Sequence, residues 1–261
     1  MKKIIAILLL CLNSPCFANN KPKILVSIPP VASLVKMAVG DLADVEIIQK
    51  SSTCPHHSHI KPSEVFAIKN ADYIVFIDEK FESSLAKYTK DSKAYKINIS
   101  NFEKLRLENN NFHIWVDLSN AKIILFNIKE IMTKNGFNKK ALEVNYEMAI
   151  KKINDIGPLK EKTESMFIGE SLYYLYPKGK MDYFEISTNP SVKRLLELKE
   201  HTKKHKKLCI FHDETIKQNT IRNFYEGKII QIDVENWHTN TNLTNLYLNY
   251  IKEIYIKLDL C

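Results

Sequence analysis

Glycine is scarce in this sequence, six residues in 261. That excludes collagen-like repeats and glycine-rich linkers, and leaves few places for a phosphate-cradling loop. Long apolar runs are missing after the first dozen residues. Nothing beyond the N-terminus can cross a bilayer as a helix, which takes about 20 apolar residues. There is no Gly-x-Ser-x-Gly elbow, no His-Glu-x-x-His helix, no zinc-finger spacing and no aromatic RNA-binding signature. Internal repeats and low-complexity segments are absent as well. With 45% hydrophobic and 26% charged residues the composition is that of a folded protein. The length allows one large domain or two smaller ones.

The first residues set the compartment. Lys2 and Lys3 precede the apolar run from Ile4 to Leu12, followed by Pro15 and the small Ala18. This order describes a secretory signal, residues 1–18, cleaved after Ala18. The mature protein is expected outside the cytoplasm, in the periplasm. Cys11 and Cys16 are candidate lipidation points, although Leu10 and Pro15 are poor residues to precede a lipidated cysteine. Removing the signal leaves 36 basic and 30 acidic residues, a formal charge of +6. The dense run Lys199–Lys207 reads as a solvated helix end rather than a polyanion site. Three cysteines remain, and in an oxidising compartment two of them are expected to pair. A bridge from Cys209, in a strand-like segment, to Cys261 at the chain end would pin the last helix to a sheet and leave Cys54 over.

Apolar runs and helical spacings alternate along the chain. Strands are predicted at Lys23–Ile28, Val45–Ile48, Tyr73–Ile77, Tyr95–Ile99, Met166–Ile168, Tyr183–Ile186, Leu208–Phe211 and Ile229–Ile232. Helices follow at Val31–Val39, Pro62–Ala71, Ala121–Ile156 (interrupted only near Gly136), and from about Glu170, Pro190, Asp213 and Thr244. The alternation implies parallel sheets covered on both faces. The expected fold is α/β with two lobes joined by a long linker helix. Its divisions are 19–118 for the N-terminal lobe, 119–160 for the linker and 161–261 for the C-terminal lobe.

Ligands of open α/β sheets bind beyond the carboxyl ends of the strands. That rule selects His56, His57 and His59 after the second strand, Glu170 after the fifth, His212 and Asp213 after the seventh, and Asp233 after the eighth. His113 lies just before the linker. Imidazole and carboxylate groups suit a divalent transition metal, and ligands from two lobes would meet in the cleft between them.

The motifs Pro55-His56-His57-Ser58-His59-Ile60-Lys61-Pro62, Asn111-Phe112-His113-Ile114-Trp115, Gly169-Glu170-Ser171-Leu172-Tyr173-Tyr174 and Ile232-Asp233 occur in this order. Together with the helix from Asn145 to Ile153 they resemble the metal-specific solute-binding proteins of ABC importers, over essentially the whole mature chain. The resemblance implies His56, His113, Glu170 and Asp233 as metal ligands, with His57, His59 and His212 accessory. It also implies a monomer that hands its metal to a membrane permease, with no enzymatic activity and no nucleic acid partner. Two departures stand out. Asn111 and Phe112 replace the acidic residue and proline that usually precede the second histidine. Glu170 resembles the manganese-type members, whereas Cys209 with a C-terminal cysteine resembles the zinc branch.

The expected cargo is Zn2+, with Mn2+ or Fe2+ as the alternative, since two imidazoles and two carboxylates accept all three. A metal-dependent hydrolase or iron oxygenase would need a coordination position left open. An exported adhesin would carry these histidines only as loop decoration.

Overall fold

The computed structural model describes residues 21–49, 60–158, 165–175, 182–186, 190–204, 209–235, 237 and 242–261. The signal segment, Cys54 and His56, His57 and His59 lie outside them.

The N-terminal lobe is built on β1 (Lys23–Val26), β2 (Asp44–Ile47), β3 (Tyr73–Phe76) and β4 (Tyr95–Asn98), in the order β2-β1-β3-β4. The C-terminal lobe repeats this arrangement with β5 (Ser165–Ile168), β6 (Asp182–Phe184), β7 (Cys209–His212) and β8 (Ile229–Gln231), in the order β6-β5-β7-β8. Every pairing is parallel. The central strands are continuous apolar runs because helices or chain cover both of their faces: all four residues of β5 and of β7 are buried. This is the expected two-lobe α/β fold.

Helix α1 (Pro29–Val39) starts on two prolines, whose fixed φ suits a first helical turn. Ten of its eleven residues are buried, and a helix apolar on all sides must lie inside the fold. Shorter helices α2 (Pro62–Lys69) and α3 (Ser83–Thr89) complete the lobe. The linker is two helices rather than one. Helix α4 (Leu118–Lys134) ends before Gly136, whose φ of 86° turns the chain, and α5 (Lys139–Asn154) restarts on Asn138, whose side chain accepts the Ala141 N–H. The pair packs on itself and against α1.

The C-terminal lobe adds a 3-10 segment at Glu170–Leu175, where a helix was expected, then α6 (Val192–Lys203), α7 (Gln218–Arg222) and α8 (Leu243–Leu258). Helix α8 crosses back and packs along α1. Tyr247, Tyr250, Ile251 and Ile254 form its buried face, and the Tyr247 N–H donates to Ser33 Oγ at 2.9 Å. Just past its far end, the disulfide Cys209–Cys261 bonds the chain to β7 of the C-terminal lobe, with Cα atoms 6.2 Å apart. One apolar cluster accordingly runs through both lobes, from Ile24 and Leu34 through Trp115 to Phe167, Phe211 and Tyr247. Among the described residues no helix is long and apolar enough to cross a membrane.

Glu82 is buried beyond the carboxyl end of β3. Its Oε2 accepts the N–H groups of Ile77 (2.6 Å) and Asp78 (3.2 Å). Burial nevertheless pushes its carboxyl up to about 7, against the pull of the nearby Ser27 hydroxyl and the two N–H groups. Ser27 Oγ and Glu82 Oε1 both lack a hydrogen-bond partner among the described residues. The folded state therefore holds a proton that the unfolded state releases near the ordinary carboxylate value of 4.5. Stability falls as pH rises between these two values, by about 3 kcal/mol for this group. Glu82→Gln keeps the acceptor and adds an N–H beside Ser27. Urea unfolding should find the variant about 3 kcal/mol more stable than the parent at pH 8, with the difference vanishing near pH 4.5.

Candidate metal centre

Parallel strands put all their carboxyl ends on one edge of a sheet, and in each lobe the topology reverses between the two central strands. The loops after β5 and β7 meet at that switch point in the C-terminal lobe. Gly169 makes the meeting possible. Its φ is 116°, and a Cβ there would lie 2.1 Å from the Asp213 carboxyl group. Asp213 in turn takes the Ser171 N–H at 3.2 Å and the Ser171 hydroxyl at 2.7 Å, so the Glu170 segment is docked on the β7 end.

His113 reaches this region from the N-terminal lobe, where it precedes the single 3-10 turn Ile114–Val116. It is 5% exposed and is flanked by the rings of Phe81, edge-on at 5.7 Å, and Trp115 at 5.2 Å. Asn111 Nδ2 donates to the carbonyl of Glu170 at 2.7 Å, which fixes Asn111 Oδ1 as the atom facing His113. That oxygen accepts the His113 N–H and the Nδ1–H, each at 3.0 Å. Nε2, the other ring nitrogen, lies 3.2 Å from Glu235 Oε1, which is also buried. A proton or a cation between these two atoms satisfies both. Two donors held tetrahedrally at zinc bond lengths would be about 3.3 Å apart, a spacing that a hydrogen bond and a shared ion both fit.

More negative charge stands behind Glu235. The Glu214 carboxyl is pushed up, first by burial, then by its hydrogen bond with Glu235 and by the charges of Asp233, Glu235 and Asp213. Asp233 Oδ1 accepts the main-chain N–H of Glu235 at 3.2 Å, which turns the chain after β8. One buried imidazole thus meets the buried Glu235 carboxylate, with Asp233 and the exposed Glu214 close by, an arrangement that a divalent cation would neutralise.

The sequence-predicted ligands divide into three groups. His113 and Asp233 lie at this cluster. Glu170 joins it through its main chain, and its carboxylate helps to raise the Tyr183 phenol, behind burial and Glu185. His56 lies outside the described residues. Among the described residues, no group of three or more His, Cys, Asp and Glu side chains is arranged to hold an ion. His212 closes β7 and is fully buried, with Nδ1–H donating to the Asp213 carbonyl at 2.8 Å and burial holding its charged form down. Sequence reasoning missed Glu235 and Glu214. A second acid two residues after Asp233, in the turn that follows β8, was the available signal.

Comparison with known proteins agrees with this architecture. The family described as zinc-uptake complex component A, periplasmic (ZnuA) matches residues 24–166. Protein RP014 of Rickettsia prowazekii (strain Madrid E) is 29% identical over 98% of this chain and 87% of its own. The Mn-bound periplasmic metal-binding protein of Candidatus Liberibacter asiaticus superposes with a TM-score of 0.76 at 17% identity, covering 92% of this chain and 99% of that one. Zn(II)-bound AdcA of Streptococcus pneumoniae gives 0.69 at 22% identity, covering 92% of this chain and 58% of that one. In sequence, this chain spans 54% of the length of the pneumococcal zinc-binding lipoprotein AdcA. The match to the family covers more than half of the sequence, and the chain belongs to the ZnuA family.

Proposed function

We propose that this protein is an extracytoplasmic carrier that captures zinc and delivers it to the permease of an ABC importer. The ligands are His56, His113, Glu170 and Asp233, drawn from lobes 19–118 and 161–261, with Glu235 as a further donor beside His113. The supporting observation is the buried His113 ring, whose Nε2 lies 3.2 Å from the buried Glu235 carboxylate, with Asp233 and Glu214 close by. The signal at 1–18 sends the chain to the periplasm, where it acts as a monomer and performs no catalysis. Manganese is the second reading, favoured by the carboxylate at position 170 and by the Mn-bound relative. Zinc outcompetes manganese at most sites of this type, so supply and geometry decide between them in the cell.

Metal content and zinc–manganese competition on the chain from residue 19, with Glu170→Ala alongside, test the proposal. The expected result is one zinc per chain, held at least about 10-fold more weakly by the variant. Manganese retained under zinc competition would move the protein to the manganese class, and no stoichiometric metal would overturn the carrier reading.

A further inference from the structure

We propose that Asn111 is a positioning residue that makes the His113 and Glu170 loops move as one unit across the two lobes. The inference rests on the metal-carrier reading and deepens it. A single buried amide is used at both ends. Its Oδ1 takes the His113 main-chain and ring N–H groups, and its Nδ2 holds the Glu170 carbonyl at 2.7 Å. An aspartate in this place could do only the first of these, because a carboxylate has no N–H to offer.

The surrounding bonds reinforce the same seam. The Tyr174 hydroxyl donates to the Asn111 carbonyl at 2.7 Å and accepts the Glu108 N–H at 3.1 Å. The Tyr173 hydroxyl donates to Glu108 Oε2 at 2.7 Å. The loop reaches these partners through Asn109 and Asn110, at φ 53° and 55°, a left-handed pair that asparagine tolerates well. The 3-10 segment carrying Glu170 is thereby laced to the loop carrying His113 by protein groups alone. The loops that carry two of the four proposed ligands are thus tied together before a metal arrives.

The sign of one substitution separates this role from simple orientation of the histidine. A carboxylate behind a metal-binding imidazole raises its basicity. If Asn111 only orients His113, Asn111→Asp leaves zinc affinity equal or tighter. If it couples the loops, the new carboxylate faces the Glu170 carbonyl and affinity falls by about 10- to 100-fold. In the Glu170→Ala background the same change then has no weakening effect, since there is no Glu170 carboxylate left to place.

Amide hydrogen exchange on the full mature chain gives a metal-independent readout. Exchange at residues 170–175 is expected to accelerate in Asn111→Asp while the α1 and α8 amides keep their protection. Asn111→Ala removes both contacts without burying a charge. It is expected to show the same acceleration, which guards against a fold lost to the aspartate. Unchanged exchange at 170–175 in a folded variant, or unweakened zinc binding by Asn111→Asp, overturns the proposal. Failure of the parent chain to bind zinc overturns the carrier reading instead, and the exchange result still decides whether Asn111 couples the loops.

Discussion

His113→Ala is expected to weaken zinc binding by more than about 100-fold, because loss of even an outer-shell partner of a metal ligand costs 10- to 100-fold. The substitution removes the proposed Nε2 donor and takes the imidazole away from the buried Glu235 carboxylate. The cavity is lined by Phe81 and Trp115, so the ring also contributes packing, and Tm must be measured beside affinity. His113→Gln fills much of the space without offering a comparable donor. A similar loss in both variants, with Tm changed little in the glutamine form, assigns the effect to coordination. Retained affinity in a folded His113→Gln variant would remove His113 from the ligand set.

Opening the Cys209–Cys261 bridge is expected to cost about 4 kcal/mol in the chain-entropy treatment of a loop of this length. The cysteines are 52 residues apart in sequence, so their bond restricts a large part of the unfolded ensemble. For a chain of this size the loss corresponds to a drop in Tm of about 8–16 °C. Cys209→Ser, compared with the parent under oxidising and reducing conditions, is the test. The variant should match the reduced parent, and reduction should leave the variant unchanged. A parent whose Tm ignores reductant would mean that the bond adds nothing to stability.

Much of the fold was legible in the sequence because buried parallel strands are written as short apolar runs. Segments such as Tyr73–Phe76 need no long-range information to be recognised. Helix α3 was missed because Ser83-Ser84-Leu85-Ala86-Lys87-Tyr88-Thr89 has only Leu85 and Thr89 buried, too little to show a period. The break in the linker was visible as Gly136, but its depth was not. Nothing in the spacing of α8 announces that its apolar face meets α1 more than 200 residues away, as the Tyr247–Ser33 bond records.

The site was legible by residue type and only partly by arrangement. His113 and Asp233 could be named because each follows or precedes an element in a place where ligands gather. Asn111 was visible as a departure from the family pattern, yet its use of both amide atoms depends on Glu170, 59 positions away. Glu235 stands out through its burial beside His113 and Glu214 through its contact with Glu235, neither of which a local pattern encodes.

The route of α8 has a consequence for the order in which the protein can be assembled. The face of α1 that it covers belongs to the first strand–helix unit among the described residues, while Leu246, Tyr247, Ile251 and Ile254 are made more than 200 residues later. Early-emerging residues therefore wait, with apolar surface uncovered, until the C-terminal end arrives. For the exported carrier proposed above, that delay would keep the N-terminal lobe from closing its core before α8 has crossed the membrane.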